Sequence, residues 1–293
     1  MSTTSAPGEP DVRRPLPSSR RYVAPIEYEP VSPSVRIGVV VPFDFGLDWE
    51  YWGYLPDDVE LHFTRTPYLD KPVGLTLARA VAKPRVLVRA TRSLAALEPA
   101  VTVYACSSGS FVDGLEGETR LRQLMLDAGA RQAITSAGAM VDALQAIGAR
   151  RVAVATPYDR RLTHKLVDFL DDAGFDIPSA THLGIRREMS RVSKRTIVDL
   201  IRATAHPDAD AVFVSCTSLR TRGIIAEMEQ EIGCPILTSN QVTLWAALAA
   251  AEALPTDPGS EVRGWVLGGG DPMAESTEML LQHVADEQER LSD

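Results

Sequence analysis

The feature that most constrains the fold of this chain is an internal repeat of short landmarks. An apolar run ends in PFD at 42–44 in the first half and in PYD at 157–159 in the second. A later apolar run ends at a cysteine followed by small hydroxyl residues, as VYACSSGS at 103–110 and as VFVSCTSL at 212–219. Landmarks that recur in the same order indicate a duplicated unit of about 105 to 115 residues.

A third landmark is a Thr-Ser pair that opens a helical pattern, at 135–136 and again at 238–239. Between the landmarks lie further helical patterns, and one of them, HKLVDFLDDAGF, places Gly174 where a helix would end. Strand, helix and strand therefore alternate through both halves. This alternation predicts an α/β fold of two Rossmann-like parallel-sheet lobes, related by a pseudo-two-fold, with the active site in the cleft between them.

The repeat also sets the expected domain boundaries. Residues 1–34 are rich in Pro, Ser and Arg without periodicity, which predicts a disordered or extended N-terminal arm. The first α/β lobe is expected to contain 35–133 and 236–293, the latter with C-terminal helices. The second lobe is expected at 134–235.

Composition excludes several classes of partner. The formal net charge of -9 opposes binding to nucleic acid or anionic membranes, and no apolar run has the roughly 18 residues of a spanning helix. Three cysteines without a CxxC pair, and no secretory signal, predict reduced thiols in the cytoplasm. The five histidines lack metal-ligand spacing. We therefore expect a small-molecule ligand, no metal and no cofactor, while a homo-oligomer is left open.

The twin cysteines mark the expected site, because parallel sheets bind ligands beyond the carboxyl ends of their strands. Cys106 and Cys216 both fall at such ends. The hydroxyl and amide groups that follow each cysteine form a nest that suits a carboxylate and favours the thiolate, so we expect thiol pKa values below about 8.5. The predicted nest residues are Ser107, Ser108, Thr217 and Ser218.

Two thiols that face each other can move a proton across a planar carbon, since one removes it and the other returns it from the opposite face. The alternative is that each cysteine is a small buried apolar residue. The occurrence of cysteine at two equivalent positions, each with hydroxyl neighbours, favours a catalytic role over a structural one. Cys234 lacks such neighbours and is interpreted as structural. A redox pair and a noncatalytic two-lobed binding protein are the other readings left open.

These motifs resemble the aspartate/glutamate racemase superfamily, and most closely its maleate cis-trans isomerase branch, over about 35–254. The resemblance rests on the first strand with its Pro turn and on YACSSGSFVDGLEGE, VAVATPYD, VFVSCTSLRT and TSNQVTLWAAL. It implies cofactor-independent catalysis by Cys106 and Cys216, with Tyr158 in contact with a small carboxylate substrate. In that branch one cysteine adds to the double bond, the intermediate rotates, and elimination gives the trans product.

The chain departs from that branch in two loops. Where the isomerases carry an asparagine after the first strand, this chain reads PFDFGLDWEYW, so Asp44 is the polar candidate for substrate binding. Its aromatic residues indicate either a larger, less polar substrate or packing. After LGI the family asparagine is replaced by Arg186 and Arg187, which either clamp a second carboxylate or lie exposed.

The function predicted from the sequence is a cofactor-independent isomerase or racemase of a small carboxylate. Related superfamily members decarboxylate with one of the two cysteines, so the presence of both favours isomerisation or proton transfer. A cysteine-dependent decarboxylase of a malonate-type acid is the alternative enzyme.

Overall fold

The structure is a computed structural model, and it describes residues 35–56, 58–254, 279–280, 282–286 and 290. The predicted N-terminal arm therefore lies outside the described residues, as does most of the segment after 254. Within the described part, no helix is both long enough and apolar enough to span a membrane.

The first half of the chain forms a four-stranded sheet in the order β2-β1-β3-β4, and every neighbouring pair is parallel. A 3₁₀ turn at Ala95–Leu97 follows the third helix. The elements are β1 (Val35–Val41), α1 (Asp48–Trp52), β2 (Val59–Arg65), α2 (Leu75–Val81), α3 (Pro84–Leu94), β3 (Val101–Tyr104), α4 (Ser107–Phe111), α5 (Gly114–Asp127), β4 (Ala133–Thr135) and α6 (Ser136–Ala146).

The second half repeats this arrangement as a parallel sheet in the order β6-β5-β7-β8. A 3₁₀ turn at Met189–Arg191 lies before its second helix. The elements are β5 (Val152–Thr156), α7 (Arg160–Asp172), β6 (Ala180–His182), α8 (Lys194–Thr204), β7 (Ala211–Val214), α9 (Ile225–Ile232), β8 (Ile236–Thr238) and α10 (Ser239–Ala250).

The predicted fold class is confirmed, since both halves build an all-parallel sheet with the same strand order. The inner strands explain why their sequences are continuous apolar runs. Every residue of β3 and of β7 is buried, because helices cover both faces of a parallel sheet. Alternation of polar and apolar residues has no place in such a strand.

Helix α10 lies between the two halves. All ten residues from Ser239 to Leu248 are buried, which is typical of a helix surrounded by protein on every side. It follows β8 of the second sheet, yet it also packs on α6 and on β3 and β4 of the first sheet. The expected lobe boundaries, with 35–133 and 236–293 in the first lobe and 134–235 in the second, stay a proposal. Strand β8 belongs to the second sheet, and α10, which follows it, contacts elements of both halves.

The Thr-Ser pairs form the predicted helix starts. Thr135 caps α6 by accepting a hydrogen bond from the Gly138 amide, and Thr238 caps α10 in a capping box with Gln241. In both cases the serine is the first helical residue. Gly174 follows the end of α7, as predicted, and has φ +91°, a conformation that favours glycine.

Candidate active site

The two halves place their cysteines at equivalent points. Cys106 lies two residues after β3 and Cys216 two residues after β7, and these are the third strands of their sheets. Both line one small cavity of about 40 Å³. That cavity brings together every residue predicted for the site, namely Asp44, Cys106, Ser107, Ser108, Tyr158, Cys216, Thr217 and Ser218.

Cys106 precedes the short helix α4 and is only 4% exposed. Its Sγ lies 4.0 Å from the Ser108 hydroxyl oxygen. Burial raises the pKa of the Cys106 thiol to about 11, although the Gly109 amide and the Tyr104 hydroxyl partly offset this. The charge on Asp44 contributes to this rise.

Cys216 has φ +111°, which is strained backbone for a residue with a side chain. This conformation brings the Ser218 amide to within 3.4 Å of the Cys216 Sγ, to which it donates. Burial raises the pKa of the Cys216 thiol to about 12, with the Ser218 amide and the Tyr158 hydroxyl opposing the rise.

The expectation that the nests lower the thiol pKa is therefore wrong. Hydrogen bonds do stabilise each thiolate, as expected, but the cost of placing a charge in a buried site is larger. Both thiols are protonated at neutral pH. A thiol must therefore lose its proton before it can act as a base or a nucleophile.

Among the described residues, Asp44 supplies the one carboxyl group that lines the cavity, and no Lys or Arg lines it. Its side chain is open to solvent on one side, yet partial desolvation raises its pKa. Because none of the described lining residues is a cation, an anionic ligand here depends on hydroxyl and amide donors. The neutral form of Asp44 is the one compatible with a carboxylate beside it.

Gly109 allows a close approach that shapes the Cys106 side of the site. A Cβ at this position would overlap the Tyr104 hydroxyl and lie 3.0 Å from the Cys106 Sγ. Both neighbours are buried. The absence of a side chain at this position therefore leaves the space that the tyrosine hydroxyl occupies beside the thiol.

An apolar wall that was not predicted from the sequence also lines the cavity. Leu77, Ala78 and Val81 of α2 line the cavity together with Val73 and Met189. The spacing of Leu77 and Val81 does indicate one helix face, but that signal equally describes packing in the core. Only the tertiary structure turns this face toward the cysteines.

The two departures from the isomerase pattern differ in position, since the first brings Asp44 into the cavity and the second lies away from it. Arg187 pairs with Asp70 at 3.2 Å, and Arg186 lines a separate pocket, so neither lines the cysteine site. Of the aromatic loop, Tyr51 is buried while Trp49 and Trp52 are about half exposed. Cys234 does not line the cavity, and no group of metal-ligating side chains occurs in the described ranges.

The fold and the paired thiols define a member of the aspartate/glutamate racemase superfamily. The family model described as arylmalonate decarboxylase matches residues 82–263. The chain belongs to this family, and its relatives include both arylmalonate decarboxylases and maleate isomerases.

Two curated relatives represent the two branches. The arylmalonate decarboxylase of Bordetella bronchiseptica is 31% identical over 222 residues, which cover 73% of this chain and 90% of that protein. The maleate isomerase of Nocardia farcinica is 28% identical over 239 residues, covering 77% and 93%. The sequence is thus similar to both branches at comparable distance.

Solved structures give the same result. A variant of arylmalonate decarboxylase, with one glycine changed to cysteine and one cysteine to serine, superposes in its liganded form with a TM-score of 0.69 at 28% identity. It covers 78% of this chain and 94% of its own. The maleate isomerase of Pseudomonas putida S16 gives a TM-score of 0.70 at 26% identity, with 83% and 99% covered.

Proposed function

We propose that this protein is a cofactor-independent isomerase or racemase of a small carboxylate, with Cys106 and Cys216 as its catalytic residues. The observation that carries the proposal is that both thiols line one cavity. A noncatalytic ligand cleft needs only one nest of donors. Two thiols from different sheets suit a reaction in which a group leaves one face of a planar carbon and another arrives at the opposite face.

The first form of the reaction is transfer of an α-proton. One cysteine, as thiolate, takes the proton from the α-carbon and becomes a thiol, and the electron pair left behind forms an enediolate. The opposite thiol then gives its proton to the other face of that carbon and becomes the thiolate. The two cysteines exchange protonation states over one turnover, so the net reaction consumes nothing.

The second form is cis-trans isomerisation of an unsaturated acid. A thiolate adds to one carbon of the double bond, the electron pair moves toward the carboxylate, and the single bond left between the carbons rotates. Elimination of the thiolate then restores the double bond. The relative from Pseudomonas putida S16 has been solved as a cysteine-to-alanine variant with maleate, which supports an unsaturated acid as a candidate ligand.

The carboxylate of the substrate is held by neutral donors in this proposal. Ser108, Thr217 and Ser218 line the cavity beside the thiols, and in this proposal the hydroxyls of Ser108 and Ser218 donate to the carboxylate. Such donors stabilise the enediolate because they are already oriented when its charge develops. Asp44 adds one further donor when it is protonated.

A decarboxylase of a malonate-type acid is the second candidate, and the apolar wall favours it. Val73, Leu77 and Met189 offer an apolar surface that a four-carbon diacid would leave unused. An acid with an apolar substituent on its α-carbon would fill it. In this reaction the C–C bond to a carboxylate breaks, CO₂ leaves, and a cysteine protonates the resulting enediolate.

A single screen separates these reactions. The protein is incubated in deuterated water with maleate, with 2-alkyl and 2-aryl hydroxy and amino acids, and with 2-substituted malonates, and the products are followed by NMR. Deuterium in the α-position of recovered substrate, or fumarate formed from maleate, supports the proposal. Release of CO₂ without exchange identifies the decarboxylase, and binding without turnover identifies a noncatalytic protein.

A further inference from the structure

The serine of the second Thr-Ser pair occupies a position that the proposed chemistry does not use. Ser239 is the first residue of α10, and it is 1% exposed. It does not line the cavity. Its side chain nevertheless lies beside both cysteine loops, which we define as residues 105–110 and 215–221.

The hydroxyl oxygen of Ser239 accepts two hydrogen bonds, one from each loop. The Ser107 hydroxyl donates at 2.9 Å, and the backbone amide of Cys216 donates at 3.0 Å. The loops also contact each other directly, since the Thr217 hydroxyl donates to the Ala105 carbonyl at 3.4 Å. The buried Ser239 hydroxyl thus connects the backbone of Cys216 to the side chain of Ser107, the residue after Cys106.

The bond to the Cys216 amide falls at the strained point of the loop. A non-glycine residue at φ +111° is held there by its surroundings, because the conformation itself is unfavourable. The other end of the same loop, at Thr221, is also linked to α10 through Glu50. Glu50 accepts hydrogen bonds from the Thr221 hydroxyl and from the side chain of Asn240, the residue after Ser239.

We propose that Ser239 is a positioning residue that holds the two cysteine loops in their relative places across the cavity. Without its oxygen, the Cys216 amide loses its acceptor and the strained backbone at Cys216 relaxes. Relaxation admits water to the Cys216 thiol. The part of this inference that concerns turnover rests on the proposed function, whereas the part that concerns the loop does not.

The chain supplies a matched control at the equivalent position of the repeat. Ser136 is the first residue of α6, is also 1% exposed, and accepts a hydrogen bond from the Thr243 hydroxyl at 2.9 Å. Among the described residues it makes no hydrogen bond to either cysteine loop. Its replacement removes a buried hydroxyl of the same kind that is bonded to neither loop.

The test compares the full-length variants Ser239→Ala, Ser239→Thr and Ser136→Ala with the wild type. Each is treated with iodoacetamide between pH 7 and pH 10, and alkylation of Cys216 is measured by peptide mass spectrometry. We expect Ser239→Ala to speed alkylation of Cys216 at pH 8 at least threefold. Ser136→Ala is expected to match the wild type, and Ser239→Thr, which keeps a hydroxyl, to restore the slow rate. Equal rates in Ser239→Ala and Ser136→Ala would overturn the inference.

A second measurement decides the matter if Ser239→Ala does not fold. Hydrogen exchange of the wild-type Cys216 amide is then followed by NMR. An amide bonded to a buried hydroxyl exchanges slowly, and exchange as fast as in exposed loops would contradict the proposed bond.

The turnover readout distinguishes this inference from the proposed function. With a substrate in hand, Ser239→Ala is expected to lower kcat about tenfold while KM changes less than twofold, because misplaced thiols slow the chemical step. If the wild type shows no turnover, the proposed function fails and the alkylation result still stands. If Ser239→Ala keeps full turnover and wild-type alkylation, the inference fails alone.

Discussion

The carboxyl group of Asp44 shares one cavity with the thiol of Cys106, although the two residues follow different strands. The pKa of this thiol is raised to about 11, mainly by burial, and the charge on Asp44 contributes to the rise. The same carboxyl raises the pKa of the Cys216 thiol. Asp44 therefore opposes thiolate formation at both positions when it is ionised.

Replacement of Asp44 by Asn is expected to lower the pKa of both thiols, since a neutral amide no longer repels a thiolate. Alkylation of Cys106 and Cys216 at pH 8 should become at least threefold faster, as measured by peptide mass spectrometry. Asp159 is the repeat equivalent and caps α7 by accepting from the Leu162 amide. Asp159→Asn should leave both rates unchanged, and slower alkylation in Asp44→Asn would refute the assignment.

The pH dependence of thiol reactivity follows from the raised pKa values. With a pKa near 11, Cys106 is a thiolate in only about 1 in 10,000 molecules at pH 7. Its alkylation rate should rise about tenfold per pH unit from pH 7 to pH 10, without a plateau. A plateau above about pH 9.5 would show an ordinary thiol, whose pKa is about 8.5, and the unfolded protein in urea provides that reference curve.

The two cysteines should both be needed for turnover. Cys106→Ala and Cys216→Ala are each expected to lower the rate of α-deuterium exchange or isomerisation at least about 100-fold, the usual effect of losing a positioned acid or base. Circular dichroism and thermal unfolding should stay close to the wild type. Cys234→Ala is the control, because Cys234 does not line the cavity. Full turnover in both site variants would exclude the proposed mechanism.

Gly109→Ala tests the close approach beside Cys106. The added Cβ would overlap the buried Tyr104 hydroxyl and displace it from the thiol. We expect a loss of about 1 to 3 kcal/mol in the free energy of unfolding, as for other overpacked sites, together with reduced turnover. Gly46→Ala is the control, because a Cβ there meets only Ser190 at 3.5 Å. Equal stability of the two variants would contradict the steric argument.

Glu50 is a fully buried carboxyl whose Oε1 accepts hydrogen bonds from the Thr221 amide and hydroxyl and from Asn240. Burial raises its pKa, so the folded state favours the neutral form and gains least stability from this group at high pH. Glu50→Gln keeps an acceptor and removes the charge. It should unfold within about 1 kcal/mol of the wild type at pH 7.

Glu50→Ala is the matched comparison, since it leaves those donors without an acceptor. It should lose about 2 to 4 kcal/mol in urea unfolding at pH 7, because buried donors without partners are costly. If Glu50→Gln is as unstable as Glu50→Ala, the ionised carboxylate rather than the acceptor is what stabilises this region.

Much of the site could be predicted because the relevant signals are local. The apolar runs before Cys106 and Cys216 determine buried parallel strands, and parallel strands present their carboxyl ends at one edge. The repeat then makes the two positions equivalent. Asp44 and Tyr158 lie within three residues of the ends of β1 and β5, and the resemblance to the isomerase branch is what implied a role for Tyr158.

The properties that depend on neighbours distant in sequence could not be predicted. The sequence shows donors next to each thiol, but not the burial that outweighs them and raises the thiol pKa. Nor does it show that α2 turns Leu77 and Val81 toward the cavity, since one helix face can pack against many surfaces.

The amino-acid sequence by itself determined the duplicated α/β fold and the positions of the two cysteines, because apolar strand runs, helix caps and turn residues act within a few positions of each other. Only the tertiary structure decided what surrounds those nests. The bond from Ser107 to Ser239 joins residues far apart in the chain, and the energy of a charge in the cavity depends on everything packed around it. Packing and desolvation are sums over the whole fold, so no local pattern contains them.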